Sequence, residues 1–179
     1  EAASEFGKQL REKKYGSEIA TRYGLAYALF KAKQLAAAQR EVEALDALKA
    51  SSPMIAGLAA AIRMAADDPP GAVAIYRDAM QRYPQSRSLV YGYAEALLAA
   101  RQYGDGLRFL DSQLQTYSSD YKLYGLQART FAASGKRLQQ HRAQAEFYLL
   151  QGQLGAAVEQ LQFAQQAVDG NFFEQSAVD

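Results

Sequence analysis

The sequence of 179 residues contains no cysteine and no tryptophan, and it has only one histidine and four prolines. Without cysteine the chain has no disulfide, no thiolate metal site and no cysteine nucleophile, and it suits a reducing or an oxidising compartment. Net charge is also small, because 20 Lys and Arg residues stand against 19 Asp and Glu residues and leave +1. This balance gives no reason to expect nucleic acid as a partner.

Long apolar runs and β-patterned segments are missing as well. No apolar run approaches the roughly 20 residues of a membrane-spanning helix, so we expect no direct membrane insertion. No segment combines an alternation of apolar and polar residues with an enrichment in β-branched residues, whereas Ala, Leu, Gln, Arg and Glu are abundant, which predicts an all-α chain. The opening "EAASEF" is more typical of a cloning remnant or a cut edge than of a native start, so we expect a piece of a longer protein.

What the sequence does contain is an internal repeat with a period of 34. The columns at this spacing are Ala26, Ala60, Ala94 and Ala128, then Ala38, Ala72 and Gly106, then Val42, Tyr76 and Leu110. A unit of this length holds two helices and two short turns, and it is typical of the tetratricopeptide repeat. Such units stack on their neighbours, which predicts a right-handed superhelical solenoid whose concave face is lined by the first helix of each pair.

The stretch "GAVAIYRDAMQRYP" at 71–84 illustrates the repeat. Small Ala72 and Ala79 predict close contacts between helices, and Tyr76 between them fills the gap toward the next unit. Pro84 cannot continue a helix, so it predicts the end of one.

Helix starts are marked by a capping side chain ahead of a proline. Ser52 precedes Pro53, and Asp68 precedes Pro69, whose missing N–H costs nothing in a first turn. These signals and the repeat predict about nine helices, near 17–32, 35–50, 53–66, 69–83, 86–101, 103–117, 120–134, 138–151 and 154–168.

The repeat pattern changes near residue 134. Gln140 falls where a small residue is due, but a shift by half a repeat restores Ala145, Ala157 and Ala164. We therefore predict a dropped half-repeat, with three full pairs, a lone helix near 120–134 and a last pair. The predicted organisation is a flank or cloning remnant at 1–14, the repeat domain at 15–170 and a C-terminal tail at 171–179.

No catalytic or metal site is visible. His141 has no HExxH helix or carboxylate cluster around it, so we expect a partly exposed helical histidine. No glycine spacing of a phosphate loop and no nucleophile elbow is present. We expect this piece to be non-catalytic, with no catalytic residue, metal or cofactor.

Candidate binding residues are positions that the repeat directs into the concave groove. They are Tyr23, Tyr27, Lys31, Met64, Tyr91, Glu95, Arg129, Arg142 and Glu146. Aromatic and charged side chains together suit an extended or helical peptide. An ordinary amphipathic, solvated face is the alternative. Tyr23 and Tyr27 fill two places of the Lys and Asn pattern that clamps a C-terminal carboxylate in some of these domains, which disfavours an adaptor for chaperone tails.

A resemblance to a known family rests mainly on the last forty residues. The stretches are "HRAQAEFYLLQGQLGAAVEQLQFAQQA", then "DGNFFEQSAVD", and earlier "SEIATRYGLAYALFKAKQLAAAQ". They resemble the C-terminal tetratricopeptide domain of the BepA-type periplasmic zinc metallopeptidases, which take part in outer-membrane β-barrel assembly and its quality control. The closing-pattern positions are His141, Glu146, Tyr148, Gly152, Glu159, Gln160 and Leu161.

The resemblance implies a docking domain in the periplasm of a Gram-negative bacterium. Its implied partners are the β-barrel assembly machinery, stalled β-barrel proteins including the lipopolysaccharide-transport barrel, and its own protease domain. Zinc is implied only in that domain, whose HExxH helix this sequence lacks. Two alternatives remain: a stand-alone scaffold or co-chaperone unrelated to proteolysis, and an intramolecular regulator of the protease domain. The recognised peptide features and the oligomeric state stay open.

Overall fold

The computed structural model describes residues 1–169, which form ten α-helices and, within that range, no strand. The helices are α1 (Ala2–Glu12), α2 (Glu18–Lys31), α3 (Leu35–Ala47), α4 (Pro53–Ala65), α5 (Pro69–Arg82), α6 (Arg87–Ala99), α7 (Tyr103–Thr116), α8 (Tyr121–Ala133), α9 (Arg137–Leu150) and α10 (Leu154–Gln165). The predicted all-α class is confirmed. Residue 170 and the predicted tail at 171–179 lie outside the described range.

Two compact units divide the structure. Unit 1 covers residues 1–96 and contains α1 to α5 with most of α6. Unit 2 begins at Leu97 and contains the end of α6 with α7 to α10. A core cluster of unit 1 joins α2, α3 and α4 through Ala26, Ala38, Val42, Leu58 and Ile62.

The small residues of the repeat form the centres of the helix contacts. The four first-helix alanines, Ala26, Ala60, Ala94 and Ala128, are all buried. In the quoted stretch at 71–84, Ala72, Tyr76 and Ala79 are buried too, and α5 ends two residues before Pro84. A small side chain lets two helix backbones approach, and the burial of these positions confirms the predicted repeat register.

Both predicted helix caps are present. The hydroxyl oxygen of Ser52 accepts a hydrogen bond from the Ile55 N–H at 3.2 Å, and the carboxylate of Asp68 accepts one from the Gly71 N–H at 2.9 Å. Each satisfies a backbone donor that has no partner within its own helix. The starts of α4 and α5 are therefore set by the residues that predicted them.

The repeat is also visible in the backbone of the turns. Lys33, Asp67, Arg101 and Gly135 all have left-handed conformations, with φ of 62°, 58°, 57° and 77°. They recur with the period of the repeat, each in a three-residue turn from the first to the second helix of a pair. Gly152, with φ 74°, comes only half a period after Gly135, again in a three-residue turn.

The short turn at Gly152 accounts for the predicted shift of the pattern by half a repeat. Turns that lead from a second helix to the next first helix are longer, with four or five residues, including the five-residue turn that holds left-handed Lys49. Two short turns in succession, before and after α9, shift the pattern by half a unit. Buried Ala145 and Ala157 agree with the same shift.

The predicted lone helix near 120–134 is wrong in one respect. From α2 onward, each helix begins half a repeat, to within one position, after the helix before it, and no helix is skipped. Helix α8 packs against α9, and α9 packs against α10 as well. Helix α8 is therefore not isolated, and the irregularity lies in turn length and side-chain pattern.

A tenth helix occupies the segment for which the sequence predicted only a flank. In α1 the half-buried Phe6 and Leu10 lie one turn apart, and the helix packs against α2. Only these two bulky apolar residues mark the segment, and Glu1 provides no side-chain cap. The periodic signal was thus too short to predict the helix.

Candidate functional site

Three of the predicted groove positions share one face of α2 in unit 1. Tyr23, Tyr27 and Lys31 follow one another at intervals of four, so their side chains lie on the same side of the helix. Tyr27 is 49 % exposed, and Lys31 is exposed in the last turn. Tyr23 is half-buried against the core cluster of unit 1, and burial, with a smaller effect of Tyr27, raises its pKa. Tyr23 therefore anchors this face while Tyr27 and Lys31 reach solvent.

The other predicted groove positions of unit 1 lie on α4 and α6. Met64 is half-buried, and Tyr91 is half-buried with Glu95 exposed one turn later. The Arg87 guanidinium lies over the Tyr91 ring, 5.1 Å from its centroid, which favours a cation–π attraction. This part of α6 combines an aromatic ring, a cation and a carboxylate within two turns.

An ion-pair network that the sequence analysis missed supports α2. Arg22 contacts Glu18 on its own helix and Glu41 on α3, each at 2.9 Å. The hydrogen bond to Glu18 is the largest cause of the raised pKa of Arg22. The spacing of four between Glu18 and Arg22 could have predicted one pair, whereas the Glu41 contact depends on helix packing. The network joins the first two repeat helices beside the Tyr23 face.

In unit 2 the structure brings two groove positions into one cavity. Arg142 and Glu146, one turn apart on α9, line a cavity of about 460 Å³. The remaining lining residues are Tyr124, Gln127, Phe131, Gln139, Ala143 and Leu161. Burial is the main cause of the raised pKa of Tyr124, and the charge of Glu146 adds to it. Arg129 is exposed on α8 and is not among the lining residues.

Aromatic rings that press on helical glycines are a feature the sequence analysis did not single out. A Cβ atom at Gly24 would lie 2.8 Å from the Phe6 ring, and one at Gly92 would lie still closer to the Tyr76 ring. Gly24 and Gly92 are separated by two repeat lengths, and this spacing could have revealed them. The contacts hold α1 against α2, and α5 against α6, and so position two of the helices that carry the predicted groove residues of unit 1.

A second cavity was also missed. It measures about 330 Å³ and lies among α3, α4 and α5 in unit 1. At its rim Tyr83 and Ser51 share a hydrogen bond of 2.8 Å between their hydroxyl groups, and Arg82 donates to the Ser51 hydroxyl. Ser51 and Tyr83 are nearly a full repeat apart in the sequence, so only the stacking of repeats brings them together.

The single histidine has an ordinary structural environment. His141 is half-buried on α9, its Nδ1 lies 2.9 Å from the Gln160 side-chain oxygen, and its ring is 5.5 Å from that of Phe163. Within residues 1–169 no three His, Asp or Glu side chains are grouped to hold a metal ion. Over the same range no helix is both long enough and apolar enough to cross a membrane.

Comparison with known proteins agrees with the helical pattern. Residues 63–130 match the family model described as tetratricopeptide repeat. The fold is that of a tetratricopeptide-repeat protein. A solved structure of MamA, residue 41 to the end, from Desulfovibrio magneticus RS-1 is similar, with a TM-score of 0.66 and 13 % identity over 84 % of this chain and 95 % of that one.

A second solved structure, the ArsTM double mutant of MamA from RS-1, gives the same TM-score of 0.66 and 13 % identity, over 84 % of this chain and 94 % of that one. At this identity the likeness concerns the fold alone. A search of curated protein sequences finds no significant match to this chain.

Proposed function

We propose that the chain is a non-catalytic protein-binding module. The observation that carries this proposal is the first-helix face of unit 1, where the exposed Tyr27 and Lys31 follow the anchored Tyr23. Aromatic side chains bury much apolar area at little entropic cost, which is why they recur among the residues that dominate binding energy. Repeat folds of this class use extended surfaces to bind other proteins.

The partner we propose is the β-barrel assembly machinery of a Gram-negative outer membrane, together with its stalled substrates. In this proposal the chain is the docking domain of a BepA-type periplasmic zinc metallopeptidase and chaperone, and zinc belongs to the protease domain. The support is the sequence resemblance of the closing stretch that begins at His141. The lipopolysaccharide-transport barrel is one proposed substrate, and the protease domain itself is another partner.

The geometry suggests how such a surface would hold an unfinished barrel protein. Tyr27 offers an amphipathic ring to apolar side chains of an extended strand, while Lys31 pairs with its acidic or backbone oxygen groups. In unit 2, Arg142 and Glu146 offer both charge signs in one cavity. Each unit therefore has its own mixed aromatic and charged surface.

Photo-crosslinking tests the proposal directly. A photoreactive phenylalanine analogue replaces Tyr91 or Arg129, and the purified barrel-assembly components are added. Controls carry the same analogue at Tyr117, a 39 % exposed tyrosine after α7, and at exposed Arg108 on α7. We expect crosslinks to an assembly protein from Tyr91 and Arg129 but not from the controls. If neither groove position captures such a protein, the docking proposal is wrong.

A further inference from the structure

The cavity of about 330 Å³ among α3, α4 and α5 has an apolar floor and an acidic rim. Its floor consists of buried or half-buried apolar side chains, namely Val42, Ile55, Ala59 and Ile75. Its rim includes the exposed side chains of Glu43 and Asp46 on α3 and of Asp78 on α5. Among the described lining residues these three carboxylates stand against one guanidinium, that of Arg82, which leaves a formal charge of −2. We call this site the acidic cavity.

The rim carboxylates are not neutralised by neighbouring cations. Within residues 1–169 neither Asp46 nor Asp78 takes part in an ion pair. The Arg82 guanidinium donates instead to the Ser51 hydroxyl, at 3.2 Å. Unpaired carboxylates around one depression attract a cation, and the attraction is stronger beside an apolar floor than in open water. The charge of the acidic cavity therefore favours a cationic ligand.

The side chain of Gln39 adds an acceptor that has no donor. Its amide nitrogen donates to the Glu43 carboxylate at 3.1 Å, and this contact fixes which way the amide points, because an ionised carboxylate only accepts. The Gln39 side-chain oxygen is buried, and no donor within the described part of the chain reaches it. Buried acceptors without a partner are rare in folded proteins. A ligand with several N–H groups suits this oxygen as well as the carboxylates.

We propose that the acidic cavity binds an arginine side chain, flanked by apolar residues, from a segment of a partner protein. The apolar stem of arginine lies on the floor, and its guanidinium donates to the rim carboxylates of Asp46 and Asp78. Arginine has five N–H donors in a planar fork, whereas lysine is a compact point charge with three, so arginine matches the larger set of acceptors. The half-buried ring of Tyr83 at one end provides a further surface for a cation.

The size of the cavity limits what part of the partner enters it. Ligand pockets range from about 300 to 1,000 Å³, so this one accommodates a side chain and its neighbours rather than a folded element. None of the predicted groove residues of unit 1 lines it, and α3 and α5 are the second helices of their pairs. The inference is therefore independent of the proposed function, which uses the first-helix face.

Methyl NMR with defined peptides tests the inference on the full chain. The probe is a terminally blocked pentapeptide, alanine-leucine-arginine-leucine-alanine, and its control replaces arginine with citrulline, which has a similar shape but no charge. We expect the arginine peptide to shift the methyl signals of Val42, Ile55 and Ile75 in a saturable way and to bind about tenfold more tightly than the control. Absence of these shifts, or equal binding of the two peptides, would overturn the inference.

Free arginine amide distinguishes a protein segment from a small amine as the ligand. Without the flanking leucines it contacts less of the apolar floor, so we expect it to bind about tenfold more weakly than the peptide. Equal binding of arginine amide and the peptide would contradict a protein segment as the ligand.

Removing the rim charges provides the test on the protein side. We expect D46N/D78N to bind the arginine peptide about tenfold more weakly, because both substitutions keep the shape of the rim and remove its charge. The matched control is D67N/E159Q, which removes two charges at exposed positions outside the cavity and should bind within about twofold of the natural protein. Equal weakening in both variants would show that net charge alone matters and would overturn the inference.

Charge reversal provides an independent readout. We expect D46K/D78K to lose the arginine peptide and to bind the pentapeptide in which glutamate replaces arginine, because the reversed rim then attracts a carboxylate. Circular dichroism should show that the variant is folded. Loss of the arginine peptide without any gain of the glutamate peptide would contradict recognition by charge at this rim.

Discussion

Single residues decide how closely the helices of unit 1 approach. Gly92 lies inside α6, where alanine would favour the helix by about 1 kcal/mol. The Tyr76 ring occupies the space that a Cβ atom would need at that position. Tyr76 is buried, so its rigid ring has little room to retreat. Close packing here outweighs the intrinsic preference of the helix.

We therefore predict that G92A lowers the free energy of unfolding by about 1–3 kcal/mol, the usual cost of overpacking. The matched control is G57A inside α4, where the nearest neighbour of the added Cβ is a Leu89 methyl group at an ordinary 3.9 Å. That variant should be as stable as the natural protein or more stable by up to about 1 kcal/mol. Urea denaturation followed by circular dichroism measures both, and equal effects of the two substitutions would contradict the packing argument.

Tyr76 also predicts a dependence of stability on pH. Burial, and to a smaller extent the charge of Glu95, raises the pKa of its phenol above the ordinary value of about 10. Because the folded state holds the proton more tightly, the contribution is fully present below pH about 10 and is lost as pH rises through the folded pKa. The stability difference between the natural protein and Y76F should therefore stay constant from pH 7 to 9 and shift in favour of Y76F above pH about 10. A constant difference up to pH 11 would disprove this role.

At the scale of helices and turns, local sequence predicted most starts and ends. Ser52, Asp68 and Pro84 act through their own chemistry, so the boundaries of α4 and α5 follow from neighbouring residues. Helix α1 was not predictable from local sequence, because its two bulky apolar residues do not establish a helical period and their role is visible only in the packing against α2. The cap of α9 was not predictable from local sequence either, because it comes from a residue more than thirty positions away.

That distant cap gives a prediction for α9. Lys136 makes no side-chain cap, and the Asp169 carboxylate takes its place at the positive end of the helix. We expect D169A to lower the free energy of unfolding by about 0.5–2 kcal/mol, as loss of a cap usually does. D78A, which removes an exposed carboxylate within α5, should change it by less than about 0.5 kcal/mol. Chemical denaturation of both variants measures the difference, and equal stabilities would mean that the distant cap is not stabilising.

At the scale of the whole molecule, the repeat was predictable because several sets of residues recur in the sequence at the same spacing. Four alanines at intervals of 34 predicted the helix contacts, and all four are buried. Four left-handed turn residues recur at the same interval. The break near residue 134 was predictable as a change of pattern, yet its form as a second short turn at Gly152 depends on backbone geometry. A feature that recurs at a fixed interval is supported by several positions of the sequence, whereas a single irregular turn is marked by only one.

Less of the candidate site was predictable. Tyr23, Tyr27 and Lys31 share one face of α2, since the helix period alone decides it, while their predicted place in a concave groove stays a prediction. The sequence could not show which of them would be exposed, because burial of Tyr23 depends on the neighbouring α3 and α4. The cavity around Arg142 and Glu146 likewise needs side chains from three helices. Their role in binding stays a prediction.

Net charge limits how the molecule can recognise a partner. At +1 the chain has no strong overall field to steer a charged ligand, so the proposed binding depends on local contacts of aromatic and paired charged groups. Such contacts concentrate in a few side chains, and Tyr27 is the exposed aromatic residue on the best-supported face. Removing it should weaken binding without unfolding the protein.

The most direct test of partner binding by the first-helix face is the affinity of Y27A for the purified barrel-assembly machinery. Y117A is the control, because it removes a similarly exposed tyrosine after a second helix. We predict that Y27A binds about tenfold more weakly, a loss of about 1.4 kcal/mol, whereas Y117A binds within about twofold of the natural protein. Circular dichroism should show both variants folded. Equal affinity of Y27A and the natural protein would contradict the account.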